Sequence, residues 1–97
     1  MDAGRESISV KMVVQRKDQP LINFTCDISS RVDHVISHVV CELGLDQGNL
    51  QDYRLKVWGL AEYLAGETCL RDYEYIHRCI NLEQDVKLCL LHIDEVG

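Results

Sequence analysis

The stretch from Val32 to Leu43 constrains this chain more than any other. Val32, Val35, Ile36, Val39, Val40 and Leu43 recur at spacings of three and four, which puts them on one stripe of an α-helix. Just upstream, Ser29 and Ser30 offer an N-cap. Asp33, three residues past Ser30, sets a carboxylate beside the positive end of the helix dipole. Gly44 supplies a left-handed stop. A lone long helix with one apolar face must be covered, and the remaining pattern supplies a sheet to cover it.

From Ile8 to Gln15, the residues Ile8, Val10, Met12 and Val14 alternate with Ser9, Lys11, Val13 and Gln15, the period of two of a half-buried strand. Arg16-Lys17-Asp18-Gln19-Pro20 interrupts this run, and a second alternation places Ile22, Phe24, Cys26 and Ile28 inward. The two runs form a hairpin. After the helix, Leu45 to Asp52 is a polar loop, and Tyr53 to Trp58 resumes strand alternation until Gly59 breaks it. Glu62-Tyr63-Leu64 makes a short fourth strand, and Leu70, Tyr73, Ile76 and Ile80, with Cys79 nearby, have helical spacing. The last strand, Val86 to Ile93, is apolar on both faces in its second half, as a central strand is. The order ββαββαβ, with one long and one short helix, is that of an α+β, ubiquitin-like β-grasp. Its mixed sheet of four or five strands keeps the first and last strands central and parallel.

With 97 residues the chain forms one domain over 1–97, residues 1–6 being a flexible start. No run approaches the roughly 18 to 20 apolar residues of a membrane span, and the start has no signal-peptide core. These features imply a cytoplasmic monomer without direct membrane insertion. The five cysteines (Cys26, Cys41, Cys69, Cys79, Cys89) are odd in number and never spaced Cys-x-x-Cys, so neither a disulfide scaffold nor a zinc site is expected. The net charge of −6 argues against nucleic acid and against anionic membranes as partners of the surface as a whole. The basic residues are unevenly spread. Through Arg31 the chain carries five (Arg5, Lys11, Arg16, Lys17, Arg31) against four acidic ones (Asp2, Glu6, Asp18, Asp27), and beyond it five against twelve. An anionic partner should therefore meet the first hairpin.

Signs of catalysis are missing from the residue pattern. His34, His38 and Glu42 stack along one side of the first helix, an arrangement expected to be solvated surface because no His-Glu-x-x-His pattern accompanies it. His77 and His92 are isolated. The six glycines form no nucleophile elbow, phosphate loop or dinucleotide fingerprint. Glu62, Glu67, Asp72 and Glu74 belong to a solvated acidic face. No cofactor or metal is expected in the domain.

Tyr53-Arg54-Leu55-Lys56-Val57-Trp58-Gly59-Leu60-Ala61-Glu62-Tyr63-Leu64, followed by Leu70, Tyr73, Tyr75-Ile76, Cys79 and Ile80, resembles the Ras-binding domain of phosphatidylinositol 3-kinases. The stretch Asn23-Phe24-Thr25-Cys26-Asp27-Ile28-Ser29-Ser30 is most similar to the class II, C2-domain-containing enzymes. The resemblance implies a non-catalytic domain of a large lipid kinase that phosphorylates the 3-position of phosphoinositides. ATP and a divalent metal would act only in the parent's kinase domain, and the cytoplasmic parent would be recruited to membranes. It also implies a small GTPase of the Ras superfamily, in its GTP-bound form, meeting the first hairpin and the start of the long helix. The chain departs from some class I relatives, which carry lysines where Thr25 and Glu42 stand here; a carboxylate facing an acidic effector loop repels it. The expected contact residues are thus Lys11, Arg16, Lys17, Asn23, Thr25 and Arg31. The alternative role is structural, the domain orienting its neighbours in the parent through the apolar positions Cys89, Leu91 and Ile93. The tail Asp94-Glu95-Val96-Gly97 has a single glycine, unlike a conjugated modifier.

Overall fold

The computed structural model describes residues 8–45, 47–60 and 62–95; the expected flexible start, like Val96 and Gly97, lies outside them. Among the described residues five strands are formed: β1 (Ser9–Gln15), β2 (Ile22–Asp27), β3 (Tyr53–Val57), β4 (Tyr63–Leu64) and β5 (Val86–His92). Helix α1 spans Val32–Glu42 and α2 spans Glu74–Leu82. The sheet order is β2-β1-β5-β3-β4. β1 and β5 run parallel at its centre, and every other pairing is antiparallel. The result is the expected β-grasp.

The alternation within the strands decides which side faces α1. Val10, Met12 and Val14 of β1 stack beside Leu88 and Leu90 of β5 and Leu55 and Val57 of β3, all buried. The α1 stripe of Val32, Val35, Ile36, Val39 and Val40 closes this core from above. Each such side chain contributes about 1.5–3 kcal/mol by leaving water. Gly44 follows the last turn of α1 at φ +72°, and Leu45 donates its N–H to the Val40 carbonyl at 3.0 Å. This is the left-handed stop that its position predicts.

Local structure differs from expectation in several places. The N-cap of α1 is Arg31, with no side-chain cap bond, and neither Ser29 nor Ser30. The first amides of the helix need no serine, because the carbonyls of Thr68 and Gly66 accept from Val32 (2.8 Å) and Asp33 (3.0 Å). A segment distant in sequence thus does the capping. Gln47–Asp52 is a 3₁₀ helix, not a loop. Its lone apolar Leu50 packs on the core but provides no periodic stripe to read. The second helical region is split into a 3₁₀ turn, Leu70–Asp72, and α2, with Tyr73 extended between them. The Tyr73 hydroxyl accepts from the Ala65 N–H at 2.6 Å and lies 2.7 Å from Thr68 Oγ1, which fixes this residue outside a helix. Leu70 and Ile76 are nevertheless fully buried. Finally, Ile8 is exposed, and Ile93 falls after β5 in a 3₁₀ turn, 43% exposed.

Candidate functional site

Edge strand β2 is the feature of this sheet that most invites a partner. The opposite edge, β4, is only two residues long, whereas β2 presents six. In the β1–β2 ladder, Ile28 donates to Ile8 at 2.9 Å. The antiparallel alternation then bonds Cys26 to Val10 and Phe24 to Met12. It turns the N–H and C=O of Asn23 and Thr25 outward, along the open edge. An edge of this kind is a template for a partner's strand.

Between β2 and α1 runs a groove of about 220 Å³, lined by Phe24, Thr25, Cys26, Ser30, His34, Val35 and His38. Phe24 faces the helix side of the sheet beside Met12, and its ring meets the His38 imidazole at 4.5 Å between centroids, tilted by 55°. Burial, with the charge of Asp27 adding to it, pushes the Cys26 thiol up to about 11. Cys26 is therefore a protonated, weakly polar part of the wall and no nucleophile at neutral pH.

The expected contact residues fall in four places. Asn23 and Thr25 lie on the open edge, and Lys11 stands across from Thr25 on β1. Arg31 sits at the start of α1, where its guanidinium grips Asp33 through two bonds, Nε to Oδ1 at 3.2 Å and Nη2 to Oδ2 at 2.8 Å. That bond holds the Asp33 carboxyl below the usual carboxylate range and raises the guanidinium. Both partners are half exposed, so water competes for them and a partner's carboxylate can replace Asp33. Lys17 is exposed in the hairpin turn beside Asp18, whose φ is +61°. Arg16 is turned elsewhere: its Nη1 donates to the Leu90 carbonyl (3.2 Å) and to the Glu95 carboxylate. Its guanidinium also lies 5.8 Å from the Tyr53 ring centroid.

Residue-type reasoning missed Phe24, His34 and His38 as groove-lining side chains. Phe24 counts as core by alternation and the histidines as solvated surface. Their signal was the spacing of four between the histidines, on the helix flank next to β2. Among the described residues no group of three or more His, Cys, Asp or Glu is placed to hold a metal ion. A larger cleft of about 650 Å³ lies between α1 and β3, with Ile36, Ser37, Tyr53 and Glu67 in its walls. It has no open strand edge, and Arg54 beside it is tied to backbone carbonyls of Gln51 and Tyr53.

Residues 3–95 match the family model of the PI3-kinase family, ras-binding domain. The chain belongs to that family. This Ras-binding domain is 35% identical over 89 residues to the phosphatidylinositol 4-phosphate 3-kinase C2 domain-containing subunit alpha of Pongo abelii, a match covering 89% of the chain. It is 36% identical over 75 residues, 75% of the chain, to the C2 domain-containing subunit beta of Homo sapiens. Both relatives are C2 domain-containing subunits, in agreement with the class II resemblance. The chain spans 5% of the length of each. No helix among the described residues of the Ras-binding domain is long and apolar enough to cross a membrane.

Proposed function

We propose that this Ras-binding domain is a non-catalytic docking module for a small GTPase of the Ras superfamily in its GTP-bound form, held at the β2 edge and the adjoining end of α1. The observation that carries this reading is the open edge of β2, with the outward amides of Asn23 and Thr25 beside the Phe24–His38 groove. A strand from the partner extends the sheet there. Arg31 at one end, Lys17 at the other and Lys11 behind Thr25 draw an acidic partner loop toward it. Arg16 contributes indirectly, by holding the hairpin against the end of β5.

In the longer protein the module would serve a phosphatidylinositol 3-kinase, cytoplasmic and recruited to membranes, whose ATP and divalent metal act in a separate kinase domain. Titrating the isotopically labelled domain with Ras-family GTPases in both nucleotide states tests the docking reading. The expected result is shifts confined to β2, the hairpin turn and the start of α1, with the GTP form only. Absence of such shifts with any GTPase at near-millimolar concentration overturns it. A second reading, orientation of neighbouring domains in the parent, draws on Cys89 and Leu91, half-buried on the far face of β5, and on exposed Ile93.

A further inference from the structure

The side of the sheet turned away from α1 carries a charge opposite in sign to the chain as a whole. Strand register places Ser9, Lys11, Val13 and Gln15 of β1 on this side, next to Asn23, Thr25 and Asp27 of β2. Lys87, Cys89 and Leu91 of β5 lie across the other flank, followed by Arg54 and Lys56 of β3 and Tyr63 of β4. Among the described strand residues the free cations on this side are thus Lys11, Lys56 and Lys87 against the one carboxylate of Asp27, Arg54 being folded back onto the Gln51 and Tyr53 carbonyls. The helical layer is the reverse: α1, the Leu70–Asp72 turn and α2 hold Asp33, Glu42, Asp72 and Glu74 against Arg71 and Arg78. A net charge of −6 therefore conceals a cationic plate backed by an anionic layer.

Aromatic side chains border the plate. Trp58, 41% exposed, continues the outward row of β3, and the Lys87 ammonium lies 5.8 Å from its ring centroid. Tyr63, 37% exposed, stands opposite Lys56. Tryptophan and tyrosine favour the boundary between lipid headgroups and acyl chains, and lysine favours the anionic headgroups above it. Half-buried Cys89 and Leu91 and buried Val13 share this face, with Val13 paired beside Lys87 and Cys89 beside Lys56.

We propose that this outer face, centred on Lys11, Lys56 and Lys87 with Trp58 and Tyr63 at its border, rests on an anionic lipid surface. Cations on paired strands of one sheet face come within a Debye length of such a surface together, while the acidic helical layer is repelled and points away. Contact is peripheral, without insertion of a segment. The β2 edge and the groove beside α1 stay open in this orientation, so the inference shares only Lys11 with the GTPase reading, and it is tested at Lys56 and Lys87, which that reading does not use.

Sedimentation of the 97-residue chain with phosphatidylcholine vesicles, with and without phosphatidylserine, at low and high salt, tests it. Binding is expected only to the phosphatidylserine vesicles and only at low salt. Each cation near such a surface multiplies binding by about fivefold, so Lys87→Glu and Lys56→Glu should each lower it at least about tenfold. Trp58→Ala should lower it several-fold, with an unchanged circular dichroism spectrum. Arg78→Glu alters the net charge equally but lies on α2, and should change binding by less than about twofold. The proposal is overturned if the parent chain ignores phosphatidylserine, or if Arg78→Glu matches Lys87→Glu. It is also overturned if Lys56 and Lys87 of the longer kinase resist amine labelling without vesicles, because a neighbouring domain then covers the face.

Discussion

Arg16 sits where the first hairpin, β5 and the C-terminal turn meet, and its partner Glu95 accepts a second bond from the His92 N–H at 2.8 Å. The His92 bond first, and Arg16 second, hold the Glu95 carboxyl below its usual value. A carboxyl with a depressed folded-state pKa adds stability above its unfolded value of about 4.3, and that stability disappears as pH falls through the folded value. Glu95→Gln should therefore destabilise the domain by about 1 kcal/mol or less at pH 7. The difference in thermal melting from the parent chain should shrink as pH falls below about 4.3, whereas a loss that persists undiminished in acid would assign Glu95 a purely steric role. Leu90 and Leu91 offer a sharper contrast, being chain neighbours with one fully buried and one half-buried. Leu90→Ala should cost about 2–5 kcal/mol and Leu91→Ala less than about 1 kcal/mol, read from urea midpoints at constant slope.

The two sides of β2 obey different rules. The Cys26 N–H is spent on Val10, whereas the Thr25 N–H faces outward. Proline at an inward amide breaks the ladder, but on an open edge it removes only a solvated donor. Cys26→Pro should thus destabilise the domain by about 3 kcal/mol or more. Thr25→Pro should leave the circular dichroism spectrum and most of the stability intact and abolish GTPase association; retained association would rule out strand addition. In α1, the same stripe that covers the sheet leaves His34 and His38 on the flank against β2, so the helix supplies both core and groove wall. The residues 66–70 act as an element too, since their backbone caps α1 and joins Arg31 to Cys69 in a bridge.

Across the whole molecule, charge is segregated more strongly than a total of −6 conveys. Lys17 at the hairpin tip and Glu42, four residues beyond His38 on the same flank of α1, would border the proposed docking edge, and border charges act mainly through association rate. Lys17→Glu should slow association with the GTP-bound GTPase and flatten its salt dependence. Glu42→Lys should speed association by roughly fivefold at low salt. Stopped-flow measurements at two ionic strengths check both, and a salt-independent change would place the effect in local structure instead. Arg16 is unsuited to such a test, because its reversal would disturb the contact between hairpin and C-terminal turn.

Periodicity by itself determined the strands, α1 and their face assignments, because alternation by two and recurrence at three and four report which side of each element leaves water. The motif around Tyr53–Leu64 determined the family. Tertiary structure alone decided how the start of α1 is capped, where the second helical region breaks, and which cations remain available. Each of these depends on groups far apart in sequence: carbonyls of Gly66 and Thr68 for α1, the Tyr73 hydroxyl on Ala65 and Thr68, and Glu95 for Arg16. The cationic plate belongs with them, since Lys11, Lys56 and Lys87 become neighbours only when β1, β3 and β5 pair in register.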